Sequence, residues 1–186
     1  MARTVGIGIQ DFGKIIENDC FYVDKTAFIK EWWENRDEVT LITRPRRFGK
    51  TLTMSMTEQF FSVKYADRGG LFEGLSIWQE EKYRALQGSY PVLSLSFANI
   101  KETNYQNTRG KICQMLAELY ASYEFLLEGN QMAENDRAFF RSVSADMDDV
   151  KATMAIHYLS KYLSAYYGKR VIILLDEYDT PMQEAY

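Results

Sequence analysis

The first third of the chain contains two segments whose apolar residues have helical spacing, with a short strand-like segment between them. Four apolar residues recur at helical spacing behind a candidate N-cap, Asp24: Phe28, Ile29, Trp32 and Trp33. The sequence VTLIT, residues 39–43, is apolar and β-branched, which predicts a short buried strand. A second stripe then recurs every four residues: Leu52, Met56, Phe60 and Val63. We therefore expect a helix from about Gly49 to Val63.

The middle of the chain contains one strand pattern and one helix pattern. The sequence YPVLSLSFANI, residues 90–100, alternates apolar residues with small polar ones, which predicts a strand. The sequence NTRGKICQMLAELYASYEFLLEG, residues 107–129, has apolar residues at helical spacing and predicts an amphipathic helix. The polar and acidic sequence of residues 134–149 predicts a surface connection.

The last part of the chain predicts a long helix followed by a strand. The helix is capped by Asp148 or Asp149 and ends at Gly168. The run VIILL, residues 171–175, is continuously apolar, as in a strand buried on both faces. Strands that alternate with helices indicate an α/β chain with a mainly parallel sheet between helical layers.

Composition narrows the classes of protein that need to be considered. The 186 residues are 46% hydrophobic and carry a net charge of −4, with a pI near 5.2, so the chain has enough apolar residues for a core. A net negative charge argues against a domain that binds nucleic acid through its overall electrostatic field. No apolar run reaches membrane-spanning length, and the two cysteines, Cys20 and Cys113, fit no metal spacing. We expect a cytoplasmic protein with two free, buried thiols.

The sequence TRPRRFGKTL, residues 43–52, is a candidate phosphate-binding loop. Gly49 would let the backbone approach a phosphate, Lys50 would reach the terminal phosphates, and the Thr51 hydroxyl would be a magnesium ligand. The general pattern G-x-x-x-x-G-K-[ST] expects a glycine where this chain has Arg44. The remaining candidate phosphate-binding residues come from the same loop: Arg46, Arg47, Phe48 and Leu52.

Two carboxylates at the end of the last predicted strand complete the candidate site. A magnesium nucleotide site needs an acidic residue at the carboxyl end of a nearby strand, and Asp176 has that position. Glu177 would then act as the general base that polarises the attacking water. Each motif alone is common by chance, but both together in one α/β chain predict nucleotide binding.

Three blocks of this sequence resemble the AAA-ATPase-like family of prokaryotic P-loop proteins. The blocks are FYVDKTAFI, residues 21–29, LITRPRRFGKTL, residues 41–52, and VIILLDEYDTPM, residues 171–182. The second block carries an arginine where the general motif has its first glycine, so Arg44 agrees with the family. The resemblance implies ATP and Mg²⁺ as cofactors; the absence of an N-K-x-D motif also favours ATP over GTP.

The resemblance further implies a three-layer α/β/α fold of the P-loop NTPase type that is incomplete at the C-terminus. Residues 1–186 would be the N-terminal portion of the ATPase domain, with a helical segment at 1–38 and the P-loop core, through the Walker B strand, at 39–186. A further sheet strand would lie between the strands carrying Thr43 and Leu175. Hydrolysis would belong to the full-length protein, in which a nuclease-like domain of the PD-(D/E)XK type commonly follows.

Two alternatives remain open from the residues. The chain could be a nucleotide-dependent switch, which hydrolyses ATP slowly and controls a partner or a downstream nuclease-like domain. It could instead be a non-enzymatic protein or nucleic-acid module with a degenerate loop, in which Arg46 and Arg47 contact DNA or RNA. The turnover rate separates the first alternative from a working ATPase, and salt-sensitive nucleic-acid binding identifies the second.

Overall fold

The computed structural model describes residues 3–43, 45, 48–129 and 131–183. The chain divides into two compact units, Met1–Val92 and Leu93–Tyr186. The described part is mixed α/β, with a two-stranded parallel sheet.

The first unit is helical. The described residues of this unit form four α-helices: α1 (Phe12–Glu17), α2 (Ala27–Asn35), α3 (Lys50–Phe61) and α4 (Glu81–Arg84). Three short 3-10 helices connect α3 to α4: Val63–Tyr65, Gly69–Phe72 and Ser76–Gln79.

Aromatic side chains fill the core of the first unit. Four phenylalanines are fully buried: Phe12, Phe60, Phe61 and Phe72. Phe12 of α1 stacks on Phe72 with a centroid separation of 5.0 Å, and Phe60 of α3 meets Phe72 edge-on at 5.1 Å. The Phe12 N–H also donates to the Ser55 hydroxyl at 3.0 Å. These contacts attach α1 to α3, so α3 is fixed along its inner face.

The second unit combines helices with the small sheet. Its elements, from the strand that begins at the boundary, are β1 (Val92–Ser96), α5 (Tyr105–Ala121), a 3-10 helix (Glu124–Leu127), α6 (Glu134–Ser142), α7 (Asp149–Tyr167), β2 (Ile172–Asp176) and α8 (Thr180–Gln183). Strands β1 and β2 are hydrogen-bonded neighbours. The two long helices α5 and α7 pack together, and the Tyr120 hydroxyl donates to the Ala155 carbonyl at 2.8 Å. Burial raises the pKa of Tyr120.

Several elements agree with the sequence pattern. In β1 the apolar residues Leu93 and Leu95 are buried, while Ser94 and Ser96 are exposed. Helix α7 begins behind Asp148, whose side chain accepts from the Lys151 N–H at 2.9 Å, and ends before Gly168, which has a φ of 64°. Cys20 and Cys113 are free and buried, as expected.

The predicted strand at residues 39–43 is wrong, because these residues have no strand conformation in the structure. Val39 is 88% exposed and Leu41 62% exposed. A parallel strand is stable when a neighbour pairs its backbone and other layers cover its faces. Val39 and Leu41 therefore lack cover, and the β-branched composition of the run alone does not produce a strand.

Three smaller predictions also need correction. Asp24 is not the N-cap of α2; that position belongs to Thr26, and the Asp24 carboxylate instead accepts from the Thr26 and Ser76 N–H groups, both at 2.8 Å. The polar stretch at 134–149 is more than a surface connection, because it contains α6 and buries Phe140. Strand β2 forms as predicted but is not fully buried, and its Leu175 is 43% exposed.

Candidate functional site

The candidate phosphate-binding residues of the described loop lie at the N-terminus of α3. Gly49 is the residue before the helix and has a φ of 75°. This left-handed conformation is accessible to glycine without the steric penalty that a Cβ brings. Lys50, Thr51 and Leu52 then form the first turn of α3.

The first turn of α3 lacks the acidic and capping side chains that usually neutralise a helix N-terminus. It contains no acidic residue, and Gly49 has no side chain to accept a hydrogen bond. The first N–H groups of an α-helix have no intrahelical acceptor and carry a partial positive charge. The Lys50 ammonium adds a full positive charge at the same end. This helix end therefore suits an anion such as a phosphate group.

Hydrogen bonds inside α3 fix the turn that carries these residues. The Thr53 N–H and the Thr53 hydroxyl both donate to the Gly49 carbonyl, each at 2.9 Å. Farther along, the Thr57 hydroxyl donates to the Thr53 carbonyl at 2.8 Å. Met56 and Phe60 are fully buried on the inner face. The helix start is thus held on a rigid, packed element, as a preorganised binding site requires.

A lysine outside the predicted loop contacts it. The Lys25 ammonium donates to the Phe48 carbonyl at 3.2 Å. A Cβ built on Gly49 would lie 3.2 Å from the same Lys25 nitrogen, so the glycine also makes room for this side chain. The Phe48 N–H donates to the Pro45 carbonyl at 3.4 Å, and the Phe48 side chain is 58% exposed. Lys25 was not among the predicted site residues, although it lies in the block FYVDKTAFI.

The other predicted loop residues, Arg46 and Arg47, lie outside the described residues, as does Arg44. Their predicted roles stay predictions. The segment that leads into the loop, residues 39–43, is not the buried strand that a phosphate-binding loop was expected to follow.

The two predicted carboxylates follow one another at the end of β2. Asp176 is the last residue of the strand, and its carbonyl accepts from the Phe97 N–H at 3.0 Å, one residue beyond β1. Glu177 has a φ of 51°, which is uncommon for a residue with a side chain. Its carbonyl accepts from the Thr180 N–H at 3.0 Å, where α8 begins. The chain therefore turns sharply at the acidic pair.

Backbone strain of this kind is more frequent at functional sites than elsewhere. Glu177 and Asp176 are both half-buried, so their carboxylates are neither fully solvated nor enclosed. The Asp179 carboxylate has a hydrogen-bond partner in the following helix, because it accepts from the Gln183 side-chain amide at 2.6 Å.

The loop and the acidic pair belong to different units. Within the first unit, Gly49, Lys50, Thr51 and Leu52 are brought together on one turn. Within the second, Asp176 and Glu177 end the same strand. Each group fits its predicted chemistry separately: the helix start suits phosphate, and the carboxylates supply the oxygen ligands that Mg²⁺ prefers.

Two further features, a cluster of metal-ligating side chains and a membrane-spanning helix, are absent from the described residues. They contain no group of three or more histidine, cysteine, aspartate or glutamate side chains that could hold a metal ion together. They also contain no helix with the length and apolar character needed to cross a lipid bilayer.

Comparison with known proteins identifies relatives of the chain. The family model described as "Predicted AAA-ATPase", of the AAA-ATPase-like family, matches residues 6–186. A protein of Azotobacter chroococcum mcd 1, described as "Uncharacterized protein in vnfD 5'region", is 33% identical over 181 residues. The alignment covers 97% of this chain and 30% of that relative, so this chain spans under a third of the relative's length. No solved structure matches the chain significantly.

Proposed function

This chain belongs to the AAA-ATPase-like family, and from that premise we propose that it binds ATP with Mg²⁺ at the start of α3. The observation that carries the proposal is the glycine with a φ of 75° directly before a helix whose first turn holds Lys50 and Thr51 and no acidic residue. Gly49, Lys50, Thr51 and Leu52 would bind the phosphates, with Arg46, Arg47 and Phe48 of the same loop.

The metal and hydrolytic roles complete the proposal. Thr51 and Asp176 are the proposed oxygen ligands of Mg²⁺, which neutralises charge that develops on the phosphates during transfer. Glu177 is the proposed general base for the attacking water.

The full-length protein is the proposed ATPase, built on a three-layer α/β/α fold of the P-loop type. The chain covers only 30% of the Azotobacter relative, and this supports a full-length protein that is longer than the chain. In the alternative of a nucleotide-dependent switch, a nuclease-like domain that follows the ATPase domain would be the partner whose activity the nucleotide controls.

The binding proposal is tested by titration calorimetry of the 186-residue chain with ATP and Mg²⁺. Saturable binding that Lys50→Ala weakens by at least about a hundredfold is expected, because the ammonium contacts phosphate directly. Lys14→Ala is the matched control: it removes an exposed lysine of α1 and should bind like the unmodified chain. Circular dichroism shows whether each variant is folded. Equal binding by Lys50→Ala, or none by the folded unmodified chain, would contradict the proposal.

The hydrolysis proposal is tested on the full-length protein by phosphate release. Glu177→Gln should bind ATP with unchanged affinity and lose about 100-fold or more in turnover, since the amide cannot accept the proton. A full-length protein that binds ATP but hydrolyses it negligibly would instead favour the nucleotide-dependent switch.

A further inference from the structure

Lys25 is a charged residue near the loop to which the proposed function gives no role. Its ammonium donates to the Phe48 carbonyl at 3.2 Å, across 23 positions of sequence. The same nitrogen lies 3.2 Å from the position of a Cβ on Gly49. A lysine so placed could contact the phosphates, or it could hold the loop. The orientation of the peptide bond between Phe48 and Gly49 distinguishes these two roles.

That peptide bond is trans, as the described residues contain no cis peptide. In a trans peptide the C=O and the N–H point in opposite directions. Because the Phe48 carbonyl points to the Lys25 ammonium, the Gly49 N–H points away from it. The ammonium and the Gly49 N–H therefore lie on opposite sides of the loop backbone. Lys25 holds the carbonyl side and leaves the N–H side for an anion.

The backbone of Lys25 is well anchored, so it can serve as a fixed support. Its N–H donates to the Tyr22 hydroxyl at 3.3 Å, and its carbonyl accepts from the Phe28 N–H at 3.0 Å, where α2 begins. The Tyr22 hydroxyl in turn donates to the sulfur of buried Met56 in α3, at 3.2 Å. Burial raises the pKa of Tyr22 to about 12, so it remains a neutral donor at physiological pH.

The residue after Lys25 is fixed even more firmly. Thr26 is fully buried, and its N–H and hydroxyl donate to the Asp24 carboxylate at 2.8 and 2.7 Å. The Thr26 hydroxyl also accepts from the Ile77 N–H at 3.1 Å. The segment that carries Lys25 is therefore attached both to α3 and to the 3-10 helix Ser76–Gln79.

We infer that Lys25 is a positioning residue of the phosphate-binding loop, which fixes the Phe48–Gly49 peptide with its N–H directed at the bound phosphate. The inference rests on the proposed function, because it names the residue that orients that same site. Lys25 acts through the loop backbone and does not touch the nucleotide. Loss of the contact should weaken binding of every ligand that uses the Gly49 N–H, whether it has two phosphates or three.

The test compares Lys25→Met, Lys25→Arg and Lys14→Met in titrations with ATP and with ADP, both with Mg²⁺. Lys25→Met keeps the length of the side chain and removes the donor, so it should weaken both nucleotides by about tenfold, the contribution of one charge-assisted hydrogen bond. Lys25→Arg keeps a cationic donor and should restore affinity to within about threefold. Lys14→Met makes the same change of charge at an exposed position of α1 and should have no effect.

A second readout reports on the loop without nucleotide. In ¹⁵N–¹H spectra of the free chain, Lys25→Met should shift the Gly49 amide resonance, and Lys25→Arg should return it toward its original position. Lys14→Met should leave it unchanged. A purely structural loss of stability would broaden or shift many resonances in the first unit and would not be rescued by arginine.

The outcomes separate the inference from the proposed function. Unchanged affinity of Lys25→Met for both nucleotides overturns the inference while Lys50→Ala still tests the binding site. Weakened ATP binding with unchanged ADP binding also overturns it, because a contact to the third phosphate would make Lys25 a ligand. If the unmodified chain and Lys50→Ala both fail to bind, the proposed function fails and the inference fails with it.

Discussion

The N-terminal turns of α3 and α7 carry opposite side-chain chemistry. Helix α7 begins behind Asp148, whose carboxylate accepts from the Lys151 N–H, and has Asp149 in its first turn. Helix α3 begins behind Gly49, with Lys50 in its first turn and no acidic residue there. One helix start is neutralised by its own sequence, whereas the other concentrates positive charge.

Helices α1 and α5 resemble α7 in having a side-chain cap. Asp11 caps α1 through the Lys14 N–H at 2.8 Å, and Asn104 caps α5 through the Asn107 N–H at 2.9 Å. A side-chain cap stabilises a helix by about 0.5–2 kcal/mol relative to alanine. Helix α3 lacks that contribution and has a residue with positive φ instead. Helix α2 likewise has neither a side-chain cap nor an acidic residue in its first turn, so α3 is distinguished by the glycine with positive φ before it and by Lys50. In the proposed function, a bound phosphate would supply at α3 the stabilisation that a cap supplies at α7.

After Lys50→Ala, the largest expected effect on affinity comes from removing the glycine at the start of α3. Gly49→Ala places a Cβ on a residue with a φ of 75°, which costs about 1–2 kcal/mol. If the free loop relaxes to avoid this cost, nucleotide binding must restore the strained conformation. The affinity for ATP should then fall about five- to thirtyfold, measured by calorimetry.

Gly168→Ala is the matched control for that change. Gly168 ends α7 with a φ of 64°, and a Cβ there meets no other atom within 4 Å. Urea unfolding should show a loss of stability of similar size, about 1 kcal/mol, and ATP affinity should not change. An equal loss of affinity in both variants would show that the effect of Gly49→Ala is only one of stability.

A smaller effect is expected when α3 is given the charge pattern of α7. Leu52→Glu places a carboxylate in the first turn of α3, where it interacts favourably with the helix N-terminus and repels a phosphate. Glutamine has the same shape as glutamate without the charge. The ratio of the ATP affinities of Leu52→Glu and Leu52→Gln therefore measures the electrostatic effect of the carboxylate alone. We expect ATP to bind about tenfold more weakly to Leu52→Glu than to Leu52→Gln. Equal affinities would argue against a phosphate near this turn.

The converse change, at α7, should affect stability alone. Asp148→Ala removes the cap and should lower the melting temperature by about 2–4 °C. Asp146→Ala removes the same charge from a nearby exposed residue that is not the cap of α7, and should have a much smaller effect. Neither variant should alter ATP affinity. A change of affinity in Asp148→Ala would mean that the start of α7 is not independent of the site.

The smallest effect concerns the pH dependence of the α7 cap. The pKa of Asp148 is lowered, and the largest cause is the hydrogen bond that its carboxylate accepts from the Lys151 N–H. A carboxyl whose pKa is depressed by folding contributes stability above its unfolded value, about 3.9, and loses it as the pH falls through the folded value. The advantage of Asp148 over Asp148→Asn should therefore decrease from pH 6 to pH 2 in urea unfolding curves. A constant difference would contradict the assignment.

The sequence predicts the elements whose determinants are local. Helix α7 has its cap, its apolar stripe and its terminal glycine within one continuous stretch, and β1 alternates buried leucines with exposed serines from Leu93 to Ser96. The strand predicted at 39–43 fails because strand formation depends on neighbours that composition does not specify. Helix α6 was missed because its sequence is mostly polar, with a single buried aromatic residue, Phe140.

The candidate site shows the same division between local and distant determinants. The left-handed conformation of Gly49 and the helix after it follow from adjacent residues, so the motif identifies them. The contact between Lys25 and the Phe48 carbonyl depends on how α3 packs, and the motif contains no sign of it. The motif also contains no sign of the turn at Glu177, because this turn follows from the position of α8 after β2.

The two cysteines give each unit its own reporter of local opening. Cys20 belongs to the first unit and Cys113 to the second, and both thiols are free and buried. A thiol reagent can reach a buried sulfur only while the surrounding structure is open, so the labelling rate of each cysteine measures how often its unit opens. A peptide map of one labelling time course would give both rates from an unmodified chain. If ATP slows labelling at Cys20 more than at Cys113, ligand binding is transmitted mainly to the unit that contains α3.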